Sequence, residues 1–433
     1  MIASLVALTC AVLAGPVDPA LADRYFQEAR WISDDDGGAL WGKPIYGPML
    51  FVDPATREVA ANQQAQGLTK VGNVWTGKLP EPVVVANTAT PWDGRHWTMV
   101  MWPLPTNRAE RARLMAHELF HRIQDDLGLP AISPQNAHMD QEAGRVWIQL
   151  EAKALAAALT GSTNNRWAAI KDALVFRAKR QSLFRGAKAE EDALELNEGL
   201  AEYTGFMCRG GWEPETRLWL GNQMLGFGGK DGYSRSFAYR TGPAYAYMIN
   251  LKDVGDHDKS TWRKGLKAGD SLTGLMAKML DFTPDPAEAE TRAKAYDYDT
   301  IKSAEATREK TRLAKAAAYT KSFVDGPVLI VPTPKGNVSF DPYKVFPFGD
   351  RGTVFEGCVV KDDWGSLDVE TAALVAKDWS SARVPAPTSL DKREGEGWKL
   401  TLNPGWKLVP GPRKGDFTVG PSKVSHDSSS GTG

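Results

Sequence analysis

The spacing of apolar positions along this chain changes in blocks. From Asp23 to Pro105, short apolar runs such as "PMLFV" (Pro48 to Val52), "PVVVA" (Pro82 to Ala86) and "WTMVMW" (Trp97 to Trp102) are separated by Gly, Pro and turn signals such as Asp93 to Arg95. That pattern predicts an antiparallel sheet. Between about Asn107 and Phe323 the helical period takes over, in "RAERARLMAHELFHRIQDDLG", "GRVWIQLEAKALAAAL", "RWAAIKDALVFRAKR", "EEDALELNEGLAEYTGFM" and "AEAETRAKAYDYDTIKSAEATREKTRLAKAAAY". Asn107 is placed to cap the first of these with Glu110 as its capping-box partner, and Gly128 and Pro130 to stop it. After Asp325 the chain returns to short strands and turns, "PVLIVP", "GTVFEGCVV", "SLDVE" and "GWKLTLNPGWKLVPG", before a polar, low-complexity tail. The expected fold class is therefore α+β: a β-rich part over 23–105, a helical region over 106–323, a small all-β domain, read as a sandwich, over 324–420, and a disordered tail over 421–433.

The start of the chain adds a targeting signal. Ile2 to Ala14 is an uncharged apolar run too short to span a bilayer, and "ALAD" at Ala20 to Asp23 offers the small residues a signal peptidase reads. The expectation is a signal peptide over 1–22, cleaved after Ala22, and an exported protein, periplasmic or secreted. A buried N-terminal helix is the alternative, and a lipoprotein reading through Cys10 is disfavoured by Thr9 before it. No later stretch is long and apolar enough to be a membrane span. Lys+Arg and Asp+Glu nearly cancel, at 52 against 53, which leaves no whole-protein field to gather nucleic acid. Cys208 and Cys358 remain after cleavage; export permits a disulfide between them without demanding one.

The chemistry is concentrated in His117-Glu118-Leu119-Phe120-His121. Residues four apart on a helix differ by about 40° around its axis, so His117 and His121 project from one face and can bind a single Zn²⁺. Glu118, beside that face, can take a proton from a water at the metal. A hydrolytic zinc site needs a third protein ligand and leaves the fourth position to water. The segment after His121 holds no histidine at the spacing a metzincin uses, and His138 lies in the loop-like "PQNAHMDQ". Glu198, in "ELNEGLAEYTG", is the better candidate. Glu202, one turn on, can accept the free ring N–H of a ligating histidine and fix its tautomer. Glu151, in "WIQLEAKALAAAL", is the rival third ligand.

His117-Glu118-x-x-His121 followed by Asn197-Glu198-x-x-Ala201-Glu202 resembles the gluzincin metallopeptidases, of which thermolysin and aminopeptidase N are familiar branches. "NEGLAEY" looks most like their MA-like bacterial members. The resemblance covers roughly Trp97 to Leu251 and neither flanking β region. It implies a gluzincin-like catalytic domain that holds one Zn²⁺ per chain and hydrolyses peptide bonds in a peptide or protein substrate. Aminopeptidase N-like members place an assisting tyrosine in a Tyr-x-x-Gly element after the third ligand, which Tyr239 to Gly242 matches. Tyr233, Tyr245 and Tyr247 compete for that role, a phenol donor to the developing oxyanion. The Gly-x-Met-Glu-Asn motif of aminopeptidases is missing, so an endopeptidase or an enzyme of narrow substrate range fits better. The expected set is His117, His121 and Glu198 as ligands, Glu118 as general base, Glu202 as orienter and Tyr239 as oxyanion donor. The alternative function is a catalytically inactive binding protein of the cell envelope on the same scaffold. A structural zinc site is disfavoured, because neither Cys208 nor Cys358 has the spacing for one.

Overall fold

The computed structural model describes residues 16–209, 215–227, 232–254, 262–334, 337–341 and 344–422. The chain divides into two units, Met1–Ala306 and Thr307–Gly433.

The first unit begins with helix α1 (Pro19–Asp36), where a β-rich stretch was expected from Asp23. The Asp18 carboxylate accepts from the backbone N–H of Ala20 and Leu21, Pro19 opens the first turn, and Gly37 in the left-handed region closes the helix. Its inner face is Ala22, Phe26, Ala29, Ile32 and Ser33. The expected cleavage point after Ala22 thus falls inside a capped helix, and Ala22 is fully buried. Its small side chain serves helix packing as well as it would serve a peptidase. The apolar run Ile2 to Ala14 lies outside the described residues.

Six strands follow: β1 (Met49–Val52), β2 (Glu58–Ala61), β3 (Thr69–Val71), β4 (Val74–Lys78), β5 (Thr88–Trp92) and β6 (Arg95–Met101). They form one sheet in the order β3-β4-β2-β1-β6-β5. The sheet is mixed where an antiparallel one was expected, because β6 returns beside β1 in the same direction, pairing Met49 with Thr98 and Val52 with Met101. The hairpin that joins β5 to β6 turns on Asp93 and Gly94, both with positive φ, as a two-residue type I′ turn requires. Pro82 to Ala86, expected as a strand, is irregular, with Val83 and Val85 packed against the sheet's core and Val84 exposed. One sheet face closes a core of its own around Leu50, Val52, Trp92, Trp97 and Met99. The other face, through Met49, Phe51, Val100 and Trp102, joins the main helical core.

The helical body comprises α2 (Arg108–Gln124), α3 (Glu142–Thr160), α4 (Thr163–Leu183), α5 (Ala187–Leu194), α6 (Leu200–Cys208), α7 (Glu215–Leu225), α8 (Tyr233–Ser236), α9 (Ala238–Val254), α10 (Leu272–Met279) and α11 (Ala289–Ala293). Asn107 caps α2 by accepting from the Glu110 N–H at 3.1 Å, and Gly128, with φ of 71°, ends the short turn that follows. Ala112, Met115, Ala116, Leu119, Phe120 and Ile123 form the apolar stripe that packs α2 against α6 and against β5 and β6. Between α5 and α6 the backbone keeps winding, but Glu195–Gly199 forms a π turn. Such one-turn bulges often carry functional residues. Helix α12 (Tyr298–Thr320) runs across the division between the units.

The second unit is strand-rich: β7 (Val328–Pro332), β8 (Asn337–Phe340), β9 (Val345–Pro347), β10 (Thr353–Phe355), β11 (Cys358–Asp362), β12 (Gly365–Val369), β13 (Ala373–Val375), β14 (Ser381–Pro385), β15 (Glu394–Gly395), β16 (Trp398–Leu402), β17 (Trp406–Pro410) and β18 (Phe417–Pro421). They form a seven-stranded sheet, β17-β18-β7-β14-β13-β10-β9, and a five-stranded sheet, β15-β16-β12-β11-β8. Both contribute to one core around Leu329, Val331, Val360, Trp364, Leu367, Val384 and Trp398. Residues 423–433, most of the expected tail, lie outside the described residues. Among the described residues no helix is long and apolar enough to cross a membrane.

Candidate metal centre

Two close helix crossings bring the site together. A Cβ on Gly205 of α6 would stand 2.7 Å from the Arg113 carbonyl of α2, so only glycine lets these helices approach so closely. Gly199, at the end of the π turn, meets Gly242 of α9 in the same way. The first crossing sets Glu202 against the start of the His117 turn, and the second sets Tyr239 against Glu198.

His117, His121 and Glu198 offer ligand atoms that all lie within 4.8 Å of one another. The two Nε2 atoms are 3.2 Å apart, and Glu198 Oε2 is 3.6 Å from each. A tetrahedral zinc with bonds of about 2.0–2.1 Å has ligand-to-ligand edges of roughly 3.4 Å, so this triangle is the size of one tetrahedral face. Among the described residues the cluster offers two nitrogens and one carboxylate oxygen, three donors rather than the closed set of four that structural zinc sites use. This buried group can hold a metal ion.

Both imidazoles are fixed from behind. His117 Nδ1 lies 3.0 Å from Glu202 Oε2, so its N–H donates to that carboxylate and Nε2 is the ring nitrogen turned toward the cluster. Arg113, one turn earlier on α2, pairs with the other Glu202 oxygen. His121 Nδ1 lies 2.8 Å from Gln124 Oε1. Gln124 donates in turn to Asn197 Oδ1 at 3.1 Å, and Asn197 donates to Ser133 Oγ at 3.0 Å. The asparagine before Glu198 therefore acts on His121 through Gln124.

Glu198 is held through both oxygens. Tyr239 Oη donates to Oε2 at 2.6 Å and Arg235 Nη2 to Oε1 at 3.1 Å. The Tyr239 ring also stacks on His117, with centroids 5.8 Å apart and planes 2° from parallel. Glu118 is buried, and its Oε2 has no hydrogen-bond partner among the described residues.

Burial dominates the electrostatics of this cluster. It raises the Glu118 carboxyl above the ordinary range, opposed by His117 and His121 and reinforced by Glu198 and Glu202. Burial would pull His117 down, but hydrogen bonds to Glu198 and Glu202 and the Glu118 charge outweigh it and push its pKa up to about 10. Burial would raise Glu198 and Glu202, yet His117 and His121 hold the first well below the usual carboxylate range, and His117 and Arg113 lower the second. The Tyr239 phenol is pushed up by burial and by the Glu198 carboxylate.

The other sequence candidates lie elsewhere. Glu151 belongs to a buried ion network: Arg177 donates to it at 2.7 Å and makes a two-point pair with Glu195, while Arg180 makes a two-point pair with Glu191 and lies 2.7 Å from Glu151. Tyr245 donates to Glu151 at 2.9 Å, which takes it out of the competition with Tyr239. His138 sits 2.8 Å from Glu191 in the same network. Cys208 and Cys358 are both free thiols. Gln124, Arg113 and Arg235, which no sequence motif marked, complete the metal cluster. In comparison with known proteins, the chain matches no family model, no curated protein and no solved structure. The functional reading rests on its own residues.

Proposed function

We propose that this chain is an exported zinc-dependent peptidase of gluzincin type, with His117, His121 and Glu198 holding the metal. The observation that carries the reading is the triangle of three donors beside a buried carboxylate, Glu118, with an unpaired oxygen. Zinc held at this face would polarise a substrate carbonyl and lower the pKa of a water to about 7. Glu118 would take the proton from the attacking water and pass it to the leaving amine. Tyr239, whose one O–H rests on Glu198, would turn that donor to the carbonyl oxygen as charge develops there. Glu202 and Gln124 hold the two imidazoles in the tautomer that presents Nε2.

The motif pair His117-to-His121 and Asn197-to-Glu202 supports the gluzincin reading, and the apolar run Ile2 to Ala14 supports export. The deciding experiment combines elemental analysis of the purified chain with hydrolysis of a mixed peptide library. About one zinc per chain together with metal-dependent cleavage is the expected result. A chain that takes up zinc and leaves every peptide intact is instead a binding protein on the same scaffold.

A further inference from the structure

Arg235 and Arg113, the two arginines at the cluster, are both about one-third exposed and differ in the carboxylate they meet, Glu198 for the first and Glu202 for the second. The Arg235 side chain is 36% exposed against 10% for Glu198, so the guanidinium stands on the solvent side of the ligand it contacts. Among the described residues it donates to Glu198 Oε1 and meets the Tyr239 phenol, two partners for a guanidinium that carries five N–H donors in a planar fork. Arg113, the other arginine at the site, is matched by the buried Glu202 carboxylate. A dication at His117, His121 and Glu198 would take over the charge of Glu198, and among the described residues Arg235 would then lack an equal counter-charge.

Arg235 also precedes Tyr239 by one helical turn, on α8 and α9, which are separated only by Phe237. Residues at that spacing lie about 5–6 Å apart on one face. An extended peptide advances about 3.3–3.6 Å per residue. A carbonyl that meets Tyr239 therefore has Arg235 within one or two residues along the same substrate. A planar fork of donors at that place is matched by a carboxylate, which it can bind through two hydrogen bonds.

We infer that Arg235 is a specificity-determining residue that binds a substrate carboxylate within one or two residues of the bond to be cut. This rests on the peptidase reading for the bond and on the geometry of Arg235 for the carboxylate. The carboxylate comes from either a free chain terminus or an acidic side chain.

The test uses the full zinc-saturated chain and two readouts. In calorimetry, succinate should bind more tightly than acetate to wild type, with the difference lost in Arg235→Gln and partly restored in Arg235→Lys. In hydrolysis, peptides with a carboxylate next to the cut should exceed their neutral counterparts in kcat/KM by roughly ten- to a hundredfold, and Arg235→Gln should remove that preference. Free-acid against amidated peptides, and Asp against Asn in amidated peptides, distinguish the two sources. Succinate bound no better than acetate by wild type, or equally well by Arg235→Gln, overturns the inference. Cleavage that ignores carboxylates also overturns it and leaves the peptidase reading standing. Succinate binding through Arg235 without any cleavage keeps the inference and removes the peptidase reading.

Discussion

Gly199 and Gly242 approach so closely that a Cβ on Gly242 would stand 2.5 Å from the Cα of Gly199. The contact joins the π turn carrying Glu198 to the helix carrying Tyr239, and the atoms met are backbone, which cannot swing aside. Gly242→Ala should therefore cost about 1–3 kcal/mol by overpacking. It should also lower turnover by moving Tyr239 off Glu198. Chemical denaturation and peptide hydrolysis check both effects; wild-type stability in Gly242→Ala would show that the crossing is looser than described.

Glu118→Gln should keep its zinc and lose hydrolysis by about a hundred- to ten-thousandfold, the range for a general base. Glu118 is outside the donor triangle, so elemental analysis should return the wild-type metal content. Metal loss in this variant would place Glu118 among the ligands and remove its role as base.

Gln124→Ala should weaken zinc binding by about ten- to a hundredfold, the usual effect of removing a group that orients a ligating histidine. The fold should tolerate the change, because the lost bonds are to side chains of His121 and Asn197. Competition titration against a chelator measures it. Asn197→Ala should act in the same direction and add little to Gln124→Ala, since both belong to one relay.

The buried Arg177–Arg180 network makes the protein acid-sensitive. Burial would raise Glu191, but the charge and hydrogen bonds of Arg180 hold its carboxyl well below the ordinary 4.5. Because the folded pKa is depressed, the stabilisation is full above the unfolded value and is lost as pH falls toward the folded one. Unfolding free energy should vary little from about pH 7 to 5 on this account and fall below about pH 4.5. Glu191→Gln should flatten that fall, and should cost about 3–5 kcal/mol at neutral pH by leaving Arg180 short of a partner. An unchanged acid slope in Glu191→Gln would assign the sensitivity to other carboxylates.

On the proposal that the chain is exported, its mature N-terminus should lie ahead of Asp18. Cleavage after Ala22 would remove the Asp18 cap, Pro19 and a buried side chain from α1, whereas a cut after Ala14, where Val12 and Ala14 supply small apolar residues, leaves the helix whole. Intact mass of the exported chain decides between them, and a product starting at Asp23 would mean that α1 loses its first turn.

What the sequence made legible and what it did not follow from how local each signal is. The α2 cap, its stop and its paired histidines depend on spacing within one helix, and the structure has them where spacing put them. Glu198 and Glu202 were readable because a carboxylate pair one turn apart has a chemical use beside two histidines. Gln124, Arg113 and Arg235 are ordinary polar residues on helices, and their roles exist only through neighbours distant in sequence. Glu151 stood as the rival to Glu198, ranked second, for the same reason: nothing local shows that two buried arginines, rather than imidazoles, face it. The parallel pairing of β1 with β6 depends on where the chain goes between them, which strand periodicity does not encode.

The turn Glu195–Gly199 makes residue count a functional property of this helix. Glu195 faces Arg177, Glu198 faces the imidazoles of His117 and His121, and Glu202 takes the N–H of His117. A uniform α-helix would fan these three carboxylates differently. Removing one residue from the turn would let it close as ordinary α-helix with the flanking turns still in phase, so Glu195 and Glu202 would keep their partners while Glu198 lost the wide turn that presents it to the imidazoles. A single-codon deletion here would thus strike one ligand selectively, because the turn is one residue wider than α-helix and that extra width carries Glu198 to the two histidines.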